Sequence, residues 1–169
     1  SVKEAMKPTH ECTVVGLDYL TTAPTSITVT AVARATPAQV FAALEDAAAW
    51  PKWAPAIKKV TWTSPKPFGL GTTRTVDLVA GMVAEEEFIG WEPNRRMAFY
   101  FTRTSMPADA FAEDYVLSDL GDGRTKIAWT MAMTPEKGRK NPKVVDALMA
   151  KGNQWMLGRL AKLVERGGR

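Results

Sequence analysis

The sequence predicts a single α+β domain in which a curved antiparallel sheet of six or seven strands grips one long C-terminal helix. Three observations carry this. Between residues 57 and 133 short alternating segments follow one another, separated by compact Gly, Pro and Asn breaks, which is the signature of sequentially adjacent antiparallel strands. Two short helical segments stand together after the first strand. After Asn141-Pro142 the chain runs to Glu165 without another proline, long enough for a helix that crosses the whole sheet.

The elements follow in order. Residues 1–25 are rich in Thr, Pro and small side chains and read as an N-terminal arm, with a short strand expected around Cys12 to Leu17; residues 26–169 form the domain proper. In Ser26 to Arg34 the side chains Ile27, Val29, Ala31 and Ala33 alternate with polar neighbours, the period of a half-buried strand. Thr36-Pro37 then supplies an N-cap and a first-turn proline, and Val40, Phe41 and Leu44 recur at helical spacing. The two prolines of AAWPKWAP, residues 48–55, permit only a short second helix, whose Trp50 and Trp53 share a face. Strands are expected near 57–64, 72–80, 83–91, 96–104, 110–118 and 125–133. The final helix carries an apolar stripe of Val145, Leu148, Met149, Gly152, Trp155, Met156, Leu160 and Leu163. Three helices cannot cover both faces of such a sheet, so the long helix lies on one face and the other meets solvent.

Composition removes several function classes. One cysteine, Cys12, and one histidine, His10, leave no internal disulfide, no multi-cysteine metal site and no His-based triad. Cys12 is expected to be inert and His10 solvated. The net charge of +4 is spread over the surface; only Lys137, Arg139, Lys140 and Lys143 cluster, and no nucleic-acid motif accompanies them. No apolar run approaches the roughly 20 residues that span a bilayer. The start, SVKEAMKPTHE, has no signal-like core, so a cytoplasmic protein is expected.

Several phrases together resemble the START-related superfamily, which includes polyketide cyclases, Bet v 1-type allergens and lipid-transfer domains. They are the first strand running into ATPAQVFAALEDAAAWPKWAP, then GLGTTRTV, FIGWEPNRRMAFYF and LGDGRTKIAW, and the terminal helix, within residues 26–165. The resemblance implies a helix-grip fold with a cavity between sheet and helix that holds a bulky apolar or amphipathic molecule such as a lipid, polyketide or isoprenoid. Members share no common catalytic set, so no active-site motif transfers.

Strand alternation selects the cavity-facing side chains. It chooses Arg74, Val76 and Leu78; Ala84, Glu86 and Phe88; Met97, Phe99 and Phe101; Phe111, Glu113, Tyr115 and Leu117; and Ile127, Trp129, Met131 and Met133. A register slipped by one would put Tyr100 and Asp114 there instead. Arg74, Glu86 and Glu113 thus enter an otherwise apolar space, where an unpaired charge costs several kcal/mol, so they should pair. They are the candidates for proton transfer, as in a cyclase or dehydratase, with Tyr115 assisting; alternatively the cluster only fixes strand register. The candidate ligand-binding residues are Arg74, Glu86, Phe88, Phe99, Glu113, Tyr115, Trp129, Met131, Gly152 and Trp155. Gly152 would make room on the buried stripe, and Trp53, Trp129 and Trp155 would converge on the cavity. The expected protein is a monomer or weak homodimer that binds an apolar small molecule, with no cofactor, metal or nucleic acid. A third reading is an interaction module whose basic cluster meets a partner protein.

Overall fold

The computed structural model describes residues 7–167. In chain order the elements are β1 (His10–Glu11), α1 (Tyr19–Thr22), β2 (Thr25–Ala33), α2 (Pro37–Glu45), α3 (Trp50–Trp53), β3 (Ile57–Trp62), β4 (Thr73–Leu78), β5 (Val83–Glu92), β6 (Arg96–Thr104), β7 (Ala108–Asp119), β8 (Thr125–Pro135) and α4 (Lys143–Glu165). The sheet runs β2-β8-β7-β6-β5-β4-β3, antiparallel throughout, with β1 paired to β6 as an eighth strand.

Local chemistry explains the boundaries that matter for the site. At the start of α2 the Thr36 hydroxyl accepts the Gln39 N–H at 3.2 Å and the Gln39 side-chain oxygen accepts the Thr36 N–H at 2.8 Å, a closed capping box ahead of Pro37. This cap directs the chain off β2 and into the helix pair that carries Trp50 and Trp53 over the sheet. The β7–β8 hairpin turns through Gly121 and Gly123, both with φ near +80° (84° and 79°), which a side chain resists. Those turns set Tyr115 opposite Trp129 and Glu113 opposite Met131.

α4 lies across the concave face, held at one edge by Gln154, whose Nε2 donates to the Thr30 carbonyl at 2.8 Å, and over α3 by Arg159, whose Nη2 donates to the Lys52 carbonyl at 2.8 Å. Its buried residues are Asn153, Leu157, Leu160, Ala161, Leu163 and Val164. The expected stripe is therefore rotated. Leu148 is 64% exposed and Trp155 57%, and the buried line instead runs 153, 157, 160/161, 164, at intervals of three and four. The first stretch of α4, Lys143 to Gly152, buries no residue, so the apolar side chains there do not report its packing face.

The arm departs from expectation too. Its strand is His10–Glu11 and not 12–17, and it adds to β6 at Arg103 and Thr104, beyond the point where β6 leaves β7. His10 is half-buried, its Nε2 donating to the Ala108 carbonyl at 2.8 Å. α1, unforeseen, sets Leu20 against Tyr100, Ala112 and Ala132 on the convex face. The sheet's outer face is thus partly covered by its own N-terminal segment. Cys12 is half-buried, and burial with the neighbouring Asp109 charge raises its thiol pKa, away from a reactive thiolate.

Candidate functional site

Between the sheet, α3 and α4 lies a cavity of about 150 Å³. Its walls are mostly apolar: Trp50, Trp53, Ala54 and Ile57 from the α3 region, Val76 and Ala84 from β4 and β5, Phe99, Phe101 and Phe111 from the central strands, and Met131 and Met156. Arg74, Glu86, Glu113 and Tyr115 join this wall.

The register explains why charges meet there. Arg74 stands opposite Glu86, and Phe99 stands opposite both Phe88 and Glu113, all pointing to the concave face. Arg74 Nε donates to Glu86 Oε1 at 2.6 Å, with the two side chains only 1% and 4% exposed. The guanidinium carbon lies 4.3 Å from the Trp50 ring centre, 4.6 Å from Phe99 and 5.1 Å from Phe88, so aromatic faces replace much of its lost water.

Glu113 pairs differently from the sequence expectation. It does not bond Arg74; its Oε1 accepts the Trp129 Nε1–H at 2.7 Å and the Tyr115 hydroxyl at 3.1 Å. Burial is the largest influence on this carboxyl and the nearby Glu86 charge adds to it; the two hydrogen bonds and Arg74 oppose them, and the result is a pKa pushed up to about 7. Burial also raises Glu86, while the charge and hydrogen bond of Arg74 pull it back. The Tyr115 hydroxyl is held well above the usual phenol range by burial and by Glu113, so it donates and does not ionise.

Of the residues singled out from sequence, Arg74, Glu86, Phe99, Glu113, Tyr115, Trp129 and Met131 line the cavity. Phe88 is buried behind Arg74 and does not reach the wall. Gly152 and Trp155 do not belong to the site. A Cβ added at Gly152 would meet nothing within 4 Å, and Trp155 lies in solvent with Arg159 5.0 Å from its ring centre. Tyr100 and Asp114 sit on the outer face, Tyr100 against Leu20 and Asp114 bridged by Arg96 at 2.8 Å. Sequence reasoning missed Trp50 as the platform for Arg74; Met156, expected on the buried stripe, does reach the cavity where Trp155 does not. The signal for Trp50 was present, since it sits three residues before Trp53 on one short helix.

The family described as polyketide cyclase / dehydrase and lipid transport matches residues 24–165. The chain belongs to this family. An uncharacterized protein of Mycobacterium tuberculosis is 50% identical over 124 residues, 73% of this chain and 74% of the relative, and one from Mycobacterium bovis matches to the same extent. Among solved structures, the ZhuI aromatase/cyclase from a Streptomyces species superposes with a TM-score of 0.70 at 17% identity, covering 86% of this chain and 96% of the other. A START superfamily protein from Mycobacterium smegmatis gives 0.64 at 17% identity, covering 83% and 94%. Ara h 8.0201 gives 0.65 at 16%, covering 83% and 97%. At such identities these likenesses establish the helix-grip fold that the polyketide cyclase family shares with its START-related neighbours, and the chemistry has to come from the cavity. No helix among the described residues is long and apolar enough to cross a membrane.

Proposed function

We propose that this polyketide cyclase family member binds a compact, largely apolar molecule in the cavity between sheet and α4, at a scale of about one ring and not of a long lipid. The observation that carries the reading is a wall made mostly of aromatic, aliphatic and methionine side chains around about 150 Å³. Space of that order in an apolar protein interior accommodates a benzene-sized guest, whereas drug-sized ligands need roughly 300–1,000 Å³. Met131 and Met156 give the wall adaptable surface, and the aromatic side chains give it shape.

Calorimetric titration with benzaldehyde, alongside thermal melts, tests this. Saturable binding is expected for the natural chain. It should vanish in Ala84→Leu, which fills the space from a wall position, while circular dichroism stays native. Binding that persists unchanged in Ala84→Leu would place the guest elsewhere and sink the proposal.

A second reading has its own support. Glu113 sits at the cavity wall with a pKa of about 7, suited to exchanging a proton with a bound molecule near neutrality. Acetophenone in deuterated buffer would then exchange its methyl hydrogens faster with the natural chain than with Glu113→Gln. Equal rates would leave binding without proton transfer.

A further inference from the structure

The polar end of the cavity narrows the class of guest, given that the cavity binds one at all. Among the described residues four buried side-chain nitrogen or oxygen atoms have no hydrogen-bond partner, and two of them, Arg74 Nη1 and Trp53 Nε1, belong to residues of the cavity wall. Arg74 is 1% exposed and Trp53 is fully buried at 0%. Both groups are donors only; neither can accept a hydrogen bond in any protonation state. A buried donor left unmatched forfeits its hydration with nothing in return, so two on one wall are an unmet demand for acceptor atoms.

One ring links the two residues. The Trp50 ring touches both, 4.3 Å from the Arg74 guanidinium carbon and 5.0 Å from the Trp53 ring centre. Trp53 in turn packs edge-on against Trp129 at 5.8 Å, and Trp129 donates to Glu113. The residues that carry the two free N–H groups thus belong, with Glu113, to one connected stretch of the cavity wall. Both hydrogen bonds to Glu113 reach Oε1, and Oε2 receives neither.

Charge decides among acceptors. The Arg74 cation is already answered by Glu86 at 2.6 Å, and the second carboxyl, Glu113, stands nearby. An anionic guest would add negative charge to a site with no spare cation, in surroundings where an uncompensated charge is costly. An ammonium guest would present hydrogens to two groups that can only donate. A neutral oxygen meets both constraints.

We propose that the cavity selects a neutral ring-sized molecule bearing a carbonyl or hydroxyl oxygen, and that this oxygen accepts hydrogen bonds from Arg74 Nη1 and Trp53 Nε1. Trp53 is then a specificity-determining residue and not only a packing one. A hydroxyl guest has a further use for the site, since its own hydrogen can be donated to Glu113 Oε2.

The test is a titration series with five one-ring probes: benzaldehyde, phenol, toluene, benzoate and benzylammonium, on the natural chain and on Trp53→Phe, which keeps an aromatic ring but removes the N–H. Benzaldehyde and phenol should bind about tenfold or more tighter than toluene, benzoate and benzylammonium, and Trp53→Phe should erase most of that preference, read as the ratio of benzaldehyde to toluene affinity within each chain. Should Trp53→Phe fail to fold, the carbonyl stretching band of benzaldehyde bound to the natural chain supplies the same answer. It should lie at lower frequency than in hydrocarbon solvent. Equal binding of toluene and benzaldehyde, or an unshifted carbonyl band, would overturn the inference and leave the cavity as a general apolar pocket. Binding by none of the five would overturn the cavity reading itself.

Discussion

Replacing Glu113 with Gln should make the protein more stable at alkaline pH, although the substitution removes a buried, hydrogen-bonded side chain. Glu113 is 8% exposed and its carboxyl rises from 4.5 to about 7, chiefly because burial disfavours the charged form. A carboxyl raised in the folded state binds its proton more tightly there than in the unfolded chain. Its contribution is therefore fully present below about pH 4.5 and is lost as pH rises through about 7. The size of that loss is about 3 kcal/mol. Gln has the shape of the protonated acid, and its oxygen can still accept from Trp129 Nε1 and the Tyr115 hydroxyl, which lie 2.7 and 3.1 Å from Oε1. Urea unfolding of both chains from pH 4 to 8.5 reads the effect as a difference curve, in which groups common to both cancel. The variant's advantage should be near zero at pH 4.5 and grow to about 3 kcal/mol at pH 8. Parallel curves would show that Glu113 is ionised or solvated in the folded state, and the electrostatic picture of the cavity would fail.

Other substitutions separate buried from surface roles. Arg74→Met strands the Glu86 carboxylate and should cost about 3–5 kcal/mol in urea unfolding, and the double variant Arg74→Met/Glu86→Met should regain at least half of that. A loss under about 1 kcal/mol for the single change would contradict the burial of the pair. Gly152→Ala should raise stability by about 0.5–1 kcal/mol, because it improves helix propensity where the new Cβ meets nothing within 4 Å; a fall in melting temperature would restore Gly152 to the packed face. Trp155→Gln should change stability by no more than about 0.5 kcal/mol and leave benzaldehyde binding intact, as fits a side chain 57% exposed.

The strands were legible because alternation has one parity to choose and Gly, Pro and Asn mark its limits. That is why alternation alone puts Arg74, Glu86, Glu113 and Tyr115 on one face. The partner of each charge was not legible. Whether Glu113 bonds Arg74 or Trp129 depends on cross-strand neighbours: Glu86 lies beside Arg74, whereas Glu113 is two strands further on. The long helix misled for a different reason. Val144, Leu148 and Trp155 are apolar yet exposed, while the face that meets the sheet includes the polar Asn153, whose Nδ2 approaches the Met131 sulfur at 3.7 Å. Counting apolar side chains rotated the helix toward solvent. Within the arm, α1 escaped notice because Leu20 anchors it through one short turn, too short for periodicity to register.

The binding of a compact neutral guest is tested most directly by a crystal structure of the chain grown with benzaldehyde. Expected is a ring enclosed by Trp53, Phe99, Trp129 and Met131, with its oxygen about 3 Å from Arg74 Nη1 and Trp53 Nε1. A cavity closed by collapsed side chains, or a ring seated outside it, would contradict the proposal.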